Sequence, residues 1–453
     1  MSKNFKKMKL QFFLITLTTL WLKIESKATI SFNATEADDI IKILPEEENF
    51  DFECGDDYYT LNLSRTGIRN LSPNNFNNPR FIYCLNLEGN EIRNLPSTIF
   101  DSQHLTNLLH LNLANNILDI NHLEFLNGLK NLTTLILDGN SRNIIRFTPS
   151  FTLPNLKNLY LRKNRLYNRI SYSNLVTNFP RLEKLYLTNN ENVFIDDYIN
   201  NSSNVNSSLS HIYIEGNRNS NFQQLLLNIK TLRQLYFDDN LRTQFCLSHS
   251  NVNVISMKNC KLRELNLCTT FTVLTNLTTL DLSHNELTTE SIERSQIFSF
   301  LQNLSLSFNS INEIPRNIPN PSLRVLSLSY NNISKIAANA FRFSENLQIL
   351  SLRGNKISHL HRNSLSGLNY LHTLDLAKNQ LNILPINWFG QFYSLNYLNL
   401  NFNNFLSLNA TSVKYNNTSL KNLHLRNNKF CSLTIRELNY LPFNLTIHVA
   451  PIE

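Results

Sequence analysis

The chain has 453 residues, 17% of them charged and 42% hydrophobic, with a formal net charge of +8 and only 9 glycines. So few glycines argue against phosphate-cradling loops, collagen-like repeats and flexible linkers, and leucines spread along the whole length argue against disorder. Residues 1–28 carry six lysines against Glu25; without them 36 basic and 33 acidic residues leave +3, too weak a basic footprint for a nucleic-acid partner.

Lys3, Lys6, Lys7 and Lys9 precede an apolar run from Leu10 to Leu22, and Ser26-Lys27-Ala28 offers a small-x-small cleavage site. Residues 1–28 therefore read as a secretory signal peptide. The run of 13 residues is shorter than the roughly 20 a membrane-spanning helix needs. No later apolar run reaches that length, and residues 445–453 lack the hydrophobic tail of a lipid anchor. The expected product is secreted and extracellular, with no membrane anchor.

Self-similarity organises everything after the leader. The segment Leu347-Gln348-Ile349-Leu350-Ser351-Leu352-Arg353-Gly354-Asn355-Lys356-Ile357 reads L-x-x-L-x-L-x-x-N-x-L, and marker asparagines recur at 90, 116, 140, 164, 190, 217, 240, 285, 309, 331, 355, 379, 403 and 428. Cys260 takes the marker place between Asn240 and Asn285, Thr66 marks a degenerate first copy, and the commonest spacing is 24. The L-x-L core is a short strand with both leucines on one face. One copy cannot bury that face, so copies stack. The marker amide is placed to bond backbone groups of its turn and of the next coil, which burial would otherwise leave unpaired. Ten residues after the marker, Phe76, Phe100, Leu126, Phe341, Leu365 and Phe389 form a second apolar ladder, read as core.

This pattern resembles the extracellular leucine-rich-repeat family, which includes Toll-like receptor ectodomains, insect secreted immune proteins, small matrix proteoglycans and neuronal adhesion proteins. The resemblance implies an α/β solenoid: a leucine-rich-repeat horseshoe with a concave parallel β-sheet and an irregular, short-helical convex side. It also implies protein or glycan recognition, without choosing between an innate-immune or decoy-receptor role and a structural role in matrix or adhesion. The domains expected are the leader at 1–28, an N-terminal cap at 29–57, about 16 repeats over 58–430 and a C-terminal cap or tail at 431–453.

Six cysteines in an oxidising compartment are expected to pair. Cys54 lies ahead of the first strand and Cys84 within the second, so a Cys54–Cys84 bridge would seal the N-terminal end of the sheet. Cys246 and Cys268 bracket the shortest repeat and form a second plausible pair. Cys260 reads as a buried marker, which leaves Cys431 free or intermolecular. Cys246-x-x-His249 with Cys260 and Cys268 has a loose zinc-like spacing, but the repeat already accounts for Cys260, and no metal is assigned. Among the N-x-S/T sequons, Asn131, Asn200, Asn276, Asn332 and Asn416 are taken as glycosylation sites. No sequon falls within the strand segments between Leu132 and Ile255, so glycans would leave the sheet there uncovered.

The residue between the two strand leucines points away from the core. Four consecutive copies carry tyrosine there: Tyr160, Tyr186, Tyr213 and Tyr236. On strands about 4.8 Å apart they would form a solvent-facing stripe of roughly 15 Å. Arg162, Lys163 and Arg165 flank one end and Glu215, Asp238 and Asp239 the other. Tyrosine suits a binding hot spot, although it also favours strands and stacks on its neighbours. The same copies are irregular in spacing and lose the apolar residue two past the marker, where Arg142, Asn192, Asn219 and Arg242 stand. Broken local rules point to function or to relaxed selection. Tyr160, Tyr186, Tyr213, Tyr236, Arg162 and Lys163 are the candidate ligand-binding residues. No G-x-S-x-G, H-E-x-x-H, P-loop or dinucleotide fingerprint occurs, so neither an enzyme nor a cofactor is expected.

Overall fold

A computed structural model describes residues 28–31, 43–44, 59–76, 82–100, 105–196, 207–217, 229–240, 251–265, 276–295, 297–430, 435–442 and 444–449. The expected leader up to residue 27, Cys54, Cys246, His249, Cys268, Cys431 and Asn200 lie outside these residues. The chain divides into two compact units, one of Lys42–Ser310 and one of Met1–Ile41 with Ile311–Glu453.

The Lys42–Ser310 unit is a stack of coils, each contributing one three-residue strand. Thr60–Asn62, Cys84–Asn86, His110–Asn112, Thr134–Ile136, Asn158–Tyr160, Lys184–Tyr186, His211–Tyr213, Gln234–Tyr236, Val254–Ser256, Thr279–Asp281 and Asn303–Ser305 pair in parallel, each with the next. The register sets each strand leucine beside the next, as Leu159 beside Leu185 and Leu185 beside Ile212. Leu159, Leu161, Leu185 and Leu187 are fully buried, as the repeat predicts. Opposite the strands the described chain is irregular, with short 3-10 turns such as Glu124–Gly128 and two short helices, Tyr172–Asn178, capped by the Ser171 hydroxyl, and Thr289–Glu293.

The second unit repeats the design with Val325–Ser327, Ile349–Ser351, Thr373–Asp375, Tyr397–Asn399 and Asn422–His424. Leu350, Leu352, Leu374 and Leu376 are fully buried. The sheet continues past Phe430, because Leu445–His448 pairs in parallel with Asn422–His424. Ala28–Ser31 pairs in turn with Leu445–His448, so a strand begins at Ala28 itself. The phenylalanine ladder is core in both units: Phe76, Phe100 and Leu126 in one, Phe341, Leu365 and Phe389 in the other, all buried.

Marker asparagines form a ladder whose direction differs from the expectation. Asn164 donates from Nδ2 to the Leu137 carbonyl at 2.9 Å, and its Oδ1 accepts the N–H of Asn140 at 2.8 Å and of Ser141 at 3.1 Å. Asn355 does the same with Leu328 and Ile333. The amide thus reaches the preceding coil, not the next. The reason is the left-handed turn just before the marker, seen at Asn115, Lys163, Asn189 and Asp239 and at Gly139, whose φ is +65°. At Gly139 an added Cβ would lie 2.5 Å from Asn115 Oδ1, so close stacking as well as backbone conformation calls for glycine there. Thr66 fills the first marker place, its hydroxyl donating to the Leu63 carbonyl at 2.9 Å.

Cys260 is a free, buried thiol. Its Sγ–H points at the carbonyls of Phe237 and Lys258, both 3.2 Å away. Burial pushes the thiol up to about 12, against the opposing hydrogen bond from the Asn240 N–H. It does the work of a marker amide with fewer donors. Cys84 is disulfide-bonded.

The irregular copy at Asn192 has a structural explanation. Tyr167–Ser171 and Asn192–Asp196 pair in parallel as a separate two-stranded sheet. Ile170, Val193 and Ile195 are buried there, and Val193 and Ile195 take over the apolar role that is lost at Asn192.

Candidate functional site

Tyr160, Tyr186, Tyr213 and Tyr236 stand on adjacent strands in the register Tyr160–Tyr186–Tyr213–Tyr236. The pleat turns Leu159 and Leu161 into the core and Tyr160 to the opposite face. The four rings form one stack, with centroids 4.1, 4.3 and 4.6 Å apart and planes within 7° of parallel. The strand spacing alone sets nearly this separation, so the stack needs little distortion of the sheet.

The expected exposure of this stripe is corrected by the structure. The four tyrosines are 6%, 3%, 6% and 7% exposed. Each ring face is covered by its neighbour, Ala114, Ile136 and Val254 complete the same apolar cluster, and Leu44 packs against it. Leu44 and the buried Ile43 come from the region expected to be a terminal cap. No repeat register points to them. The only signal for them is the apolar run Ile40-Ile41-Lys42-Ile43-Leu44 ahead of Pro45.

Arg162 crosses one end of the stack. Its guanidinium carbon lies 5.1 Å from the Tyr160 centroid and 4.7 Å from that of Tyr186, beside the two stacked rings rather than over an open face. Burial, with Tyr186 alongside, raises the Tyr160 phenol well above its ordinary range. The Arg162 N–H also donates to Asp138 at 2.7 Å. Burial pushes the Asp138 carboxyl up to about 6, opposed by that hydrogen bond and by the charges of Arg162 and Lys163. Lys163 is exposed, in the left-handed turn one residue on.

At the other end, Tyr236 donates from its hydroxyl to Gln234 at 3.0 Å. Asp238 accepts from the Ser256 hydroxyl at 2.5 Å and the Lys258 N–H at 2.8 Å. Burial raises its carboxyl, against those two bonds. Glu215 accepts from the Thr188 hydroxyl at 2.8 Å. The site is thus an aromatic floor with a cationic upstream edge and a hydrogen-bonded acidic downstream edge. It can bind through stacking and charge.

Asn131, Asn276, Asn332 and Asn416 are all exposed, so their amides lie at the surface. Among the described residues no three His, Cys, Asp or Glu side chains are grouped to share a metal ion, and no helix is long and apolar enough to cross a membrane.

A leucine-rich-repeat family model matches residues 299–357, 321–381 and 345–405, and a second leucine-rich-repeat model matches 276–295. No curated protein matches the sequence. Among solved structures, the fold is similar to a chain of the glycosylated Toll–Spatzle complex of Drosophila, at 20% identity and TM-score 0.62, over 84% of this chain and 52% of that one. A leucine-rich-repeat protein of Leptospira interrogans is similar at 24% identity and TM-score 0.54, over 84% of this chain and 93% of that one. TLR13 in complex with single-stranded RNA matches at 22% identity and TM-score 0.48, over 85% and 65%. The chain spans about half of the Toll–Spatzle match and less than two thirds of the TLR13 one.

Proposed function

Since the chain is a leucine-rich-repeat protein with a fold like that of Toll-like receptor ectodomains, we propose that it is a secreted recognition protein, innate-immune or decoy-like, that binds a protein or glycan through its tyrosine face. The observation that carries this reading is the four-ring stack crossed by Arg162. Burying four large aromatic rings on the face opposite the leucine core is not needed to close the coils, since Ser305, Ser327 and Ser351 stand at the equivalent place elsewhere. Aromatic residues with an arginine are the composition of binding hot spots. The N-terminal basic and apolar pattern supports secretion, and the exposed sequons agree with an extracellular glycoprotein.

The test uses the purified full chain against Spatzle, peptidoglycan, laminin and collagen, measured by biolayer interferometry with wild type and Arg162→Glu. Saturable binding of Spatzle or peptidoglycan that weakens about tenfold or more in Arg162→Glu supports the reading, since tenfold is about 1.4 kcal/mol, more than most interface residues cost on truncation. No binding, or binding of laminin or collagen alone that ignores Arg162→Glu, overturns it in favour of a structural role.

A further inference from the structure

The tyrosine face already has an occupant. Leu44 packs against the cluster formed by Tyr160, Tyr186, Tyr213, Tyr236, Ile136, Ala114 and Val254, and Ile43 beside it is buried. Lys42–Ser310 forms one compact unit, so this contact belongs to the unit that carries the stack. About 90 residues separate Leu44 from the nearest flanking strand, Thr134–Ile136, and the repeat needs no residue from that far upstream to close its coils. An aliphatic side chain on this aromatic cluster, with a second buried next to it in sequence, is what a bound peptide would present.

We infer that Ile43 and Leu44 are an intramolecular plug on the tyrosine face, and that the face is a peptide site selective for adjacent aliphatic residues followed by acidic ones. The sequence after the plug is Pro45-Glu46-Glu47-Glu48, three carboxylates in a row. Arg162 and Lys163 supply positive charge at the edge of the stack. Aliphatic residues on the rings and carboxylates toward the cations use both features of the site at once. A glycan would use the rings but would have no need of the adjacent aliphatic pair. The plug therefore deepens the recognition reading and rests on it: it names the ligand class as an aliphatic–acidic polypeptide, and it makes binding conditional on displacement of the chain's own segment.

An occupied site binds an external ligand with an affinity reduced by the fraction of molecules in which it is open. If the plug is seated in about 90–99% of molecules, releasing it strengthens external binding about 10- to 100-fold. The experiment titrates a fluorescent synthetic peptide of residues 42–50 against the full chain, wild type and the double variant Ile43→Asp, Leu44→Asp, with melting curves to verify folding. The expected result is peptide binding at least about tenfold tighter to the double variant than to wild type, lost when the peptide carries the same two aspartates and weakened by Arg162→Glu in the double-variant background. Equal binding to both proteins, or binding to neither, overturns the plug. Should the double variant fail to fold, Leu44→Ala is measured in its place, where any rise over wild type supports the plug and no rise overturns it. Failure of the plug and failure of the recognition reading give different results. A protein partner that binds wild type and the double variant equally removes the plug alone. Peptide capture with no external partner among the probes removes the recognition role alone.

Discussion

The Arg162 guanidinium carbon stands 4.7 Å from the Tyr186 ring centroid and 5.1 Å from that of Tyr160, so one side chain lies alongside two rings of the stack. Arg162→Ala should cost about 1 kcal/mol of folding stability, chiefly through lost packing of its stem and planar head on the rings. Arg162→Lys should recover only part of it, because a compact ammonium lacks the planar head that spans both rings. Urea unfolding of the three proteins measures the order, and a lysine variant as stable as wild type would contradict it.

The rings themselves bear more weight. Tyr213 stacks on both neighbours and is 6% exposed. Tyr213→Ala should lower stability by about 3 kcal/mol, in the range for deleting a buried aromatic ring, whereas Tyr213→Phe keeps the stack and should cost under about 1.5 kcal/mol. Replacing all four tyrosines with serine, a natural choice for an exposed stripe, would instead threaten the fold.

The marker ladder makes a separate prediction. Asn164→Ala strips the partner from the N–H groups of Asn140 and Ser141 and leaves the Leu137 carbonyl with Asn140 Nδ2 as its donor. Each buried unpaired group costs about 1–3 kcal/mol, so the variant should lose about 2 kcal/mol or more in urea unfolding. Cys260→Asn should be within about 1 kcal/mol of wild type, since an amide restores the ordinary marker, and Cys260→Val should cost more because the carbonyls of Phe237 and Lys258 lose the thiol and keep only Asn240 Nδ2 and the Asp239 N–H. In the native protein Cys260 should resist iodoacetamide at pH 8, as burial holds its thiol near 12.

Two half-buried groups predict opposite responses to pH. Asp138 is raised from 3.8 to about 6 by burial, so folding disfavours its ionised form. The stability it contributes is full below its ordinary range and is lost as pH rises through about 6. His424 is lowered from 6.5 to about 4 by burial, reinforced by the charges of His448 and Arg426; its ring stacks on His448 at 4.1 Å. Its contribution is present above 6.5 and is lost as pH falls toward 4. Hydrogen exchange corrected for intrinsic rates should show protection of 134–136 falling and of 422–424 rising between pH 4 and 6.5. Asp138→Asn and His424→Gln should each flatten only the local trend.

The fold was legible because the leucine spacing is a direct record of which side chains face inward. Leu350 and Leu352 could be assigned to the core from their place in the repeat alone. The marker role of Thr66 and Cys260 followed from register. The direction of the asparagine bonds did not, because it depends on a left-handed turn held by residues as different as Lys163, Asn189 and Gly139, and so leaves no single-residue signature. The tyrosines were legible as a stripe on the non-core face, but periodicity says which way a side chain points and not what lies over it. Ile43 and Leu44 belong to no repeat, so the packing of Leu44 against the tyrosine cluster needed coordinates. The missing apolar residue at Asn192 looked functional until Val193 and Ile195 were seen buried in the extra two-stranded sheet.

The most direct test is acetylation of tyrosines by N-acetylimidazole, mapped by mass spectrometry. Tyr393 and Tyr415, 77% and 65% exposed, serve as internal standards. Tyr160, Tyr186, Tyr213 and Tyr236 should stay unmodified in wild type, react in the folded double variant Ile43→Asp, Leu44→Asp, and become protected again when that variant is saturated with the peptide of residues 42–50. Modification of the four in wild type at the rate of Tyr393, or no renewed protection under saturating peptide, would contradict the account of the tyrosine face as a binding surface.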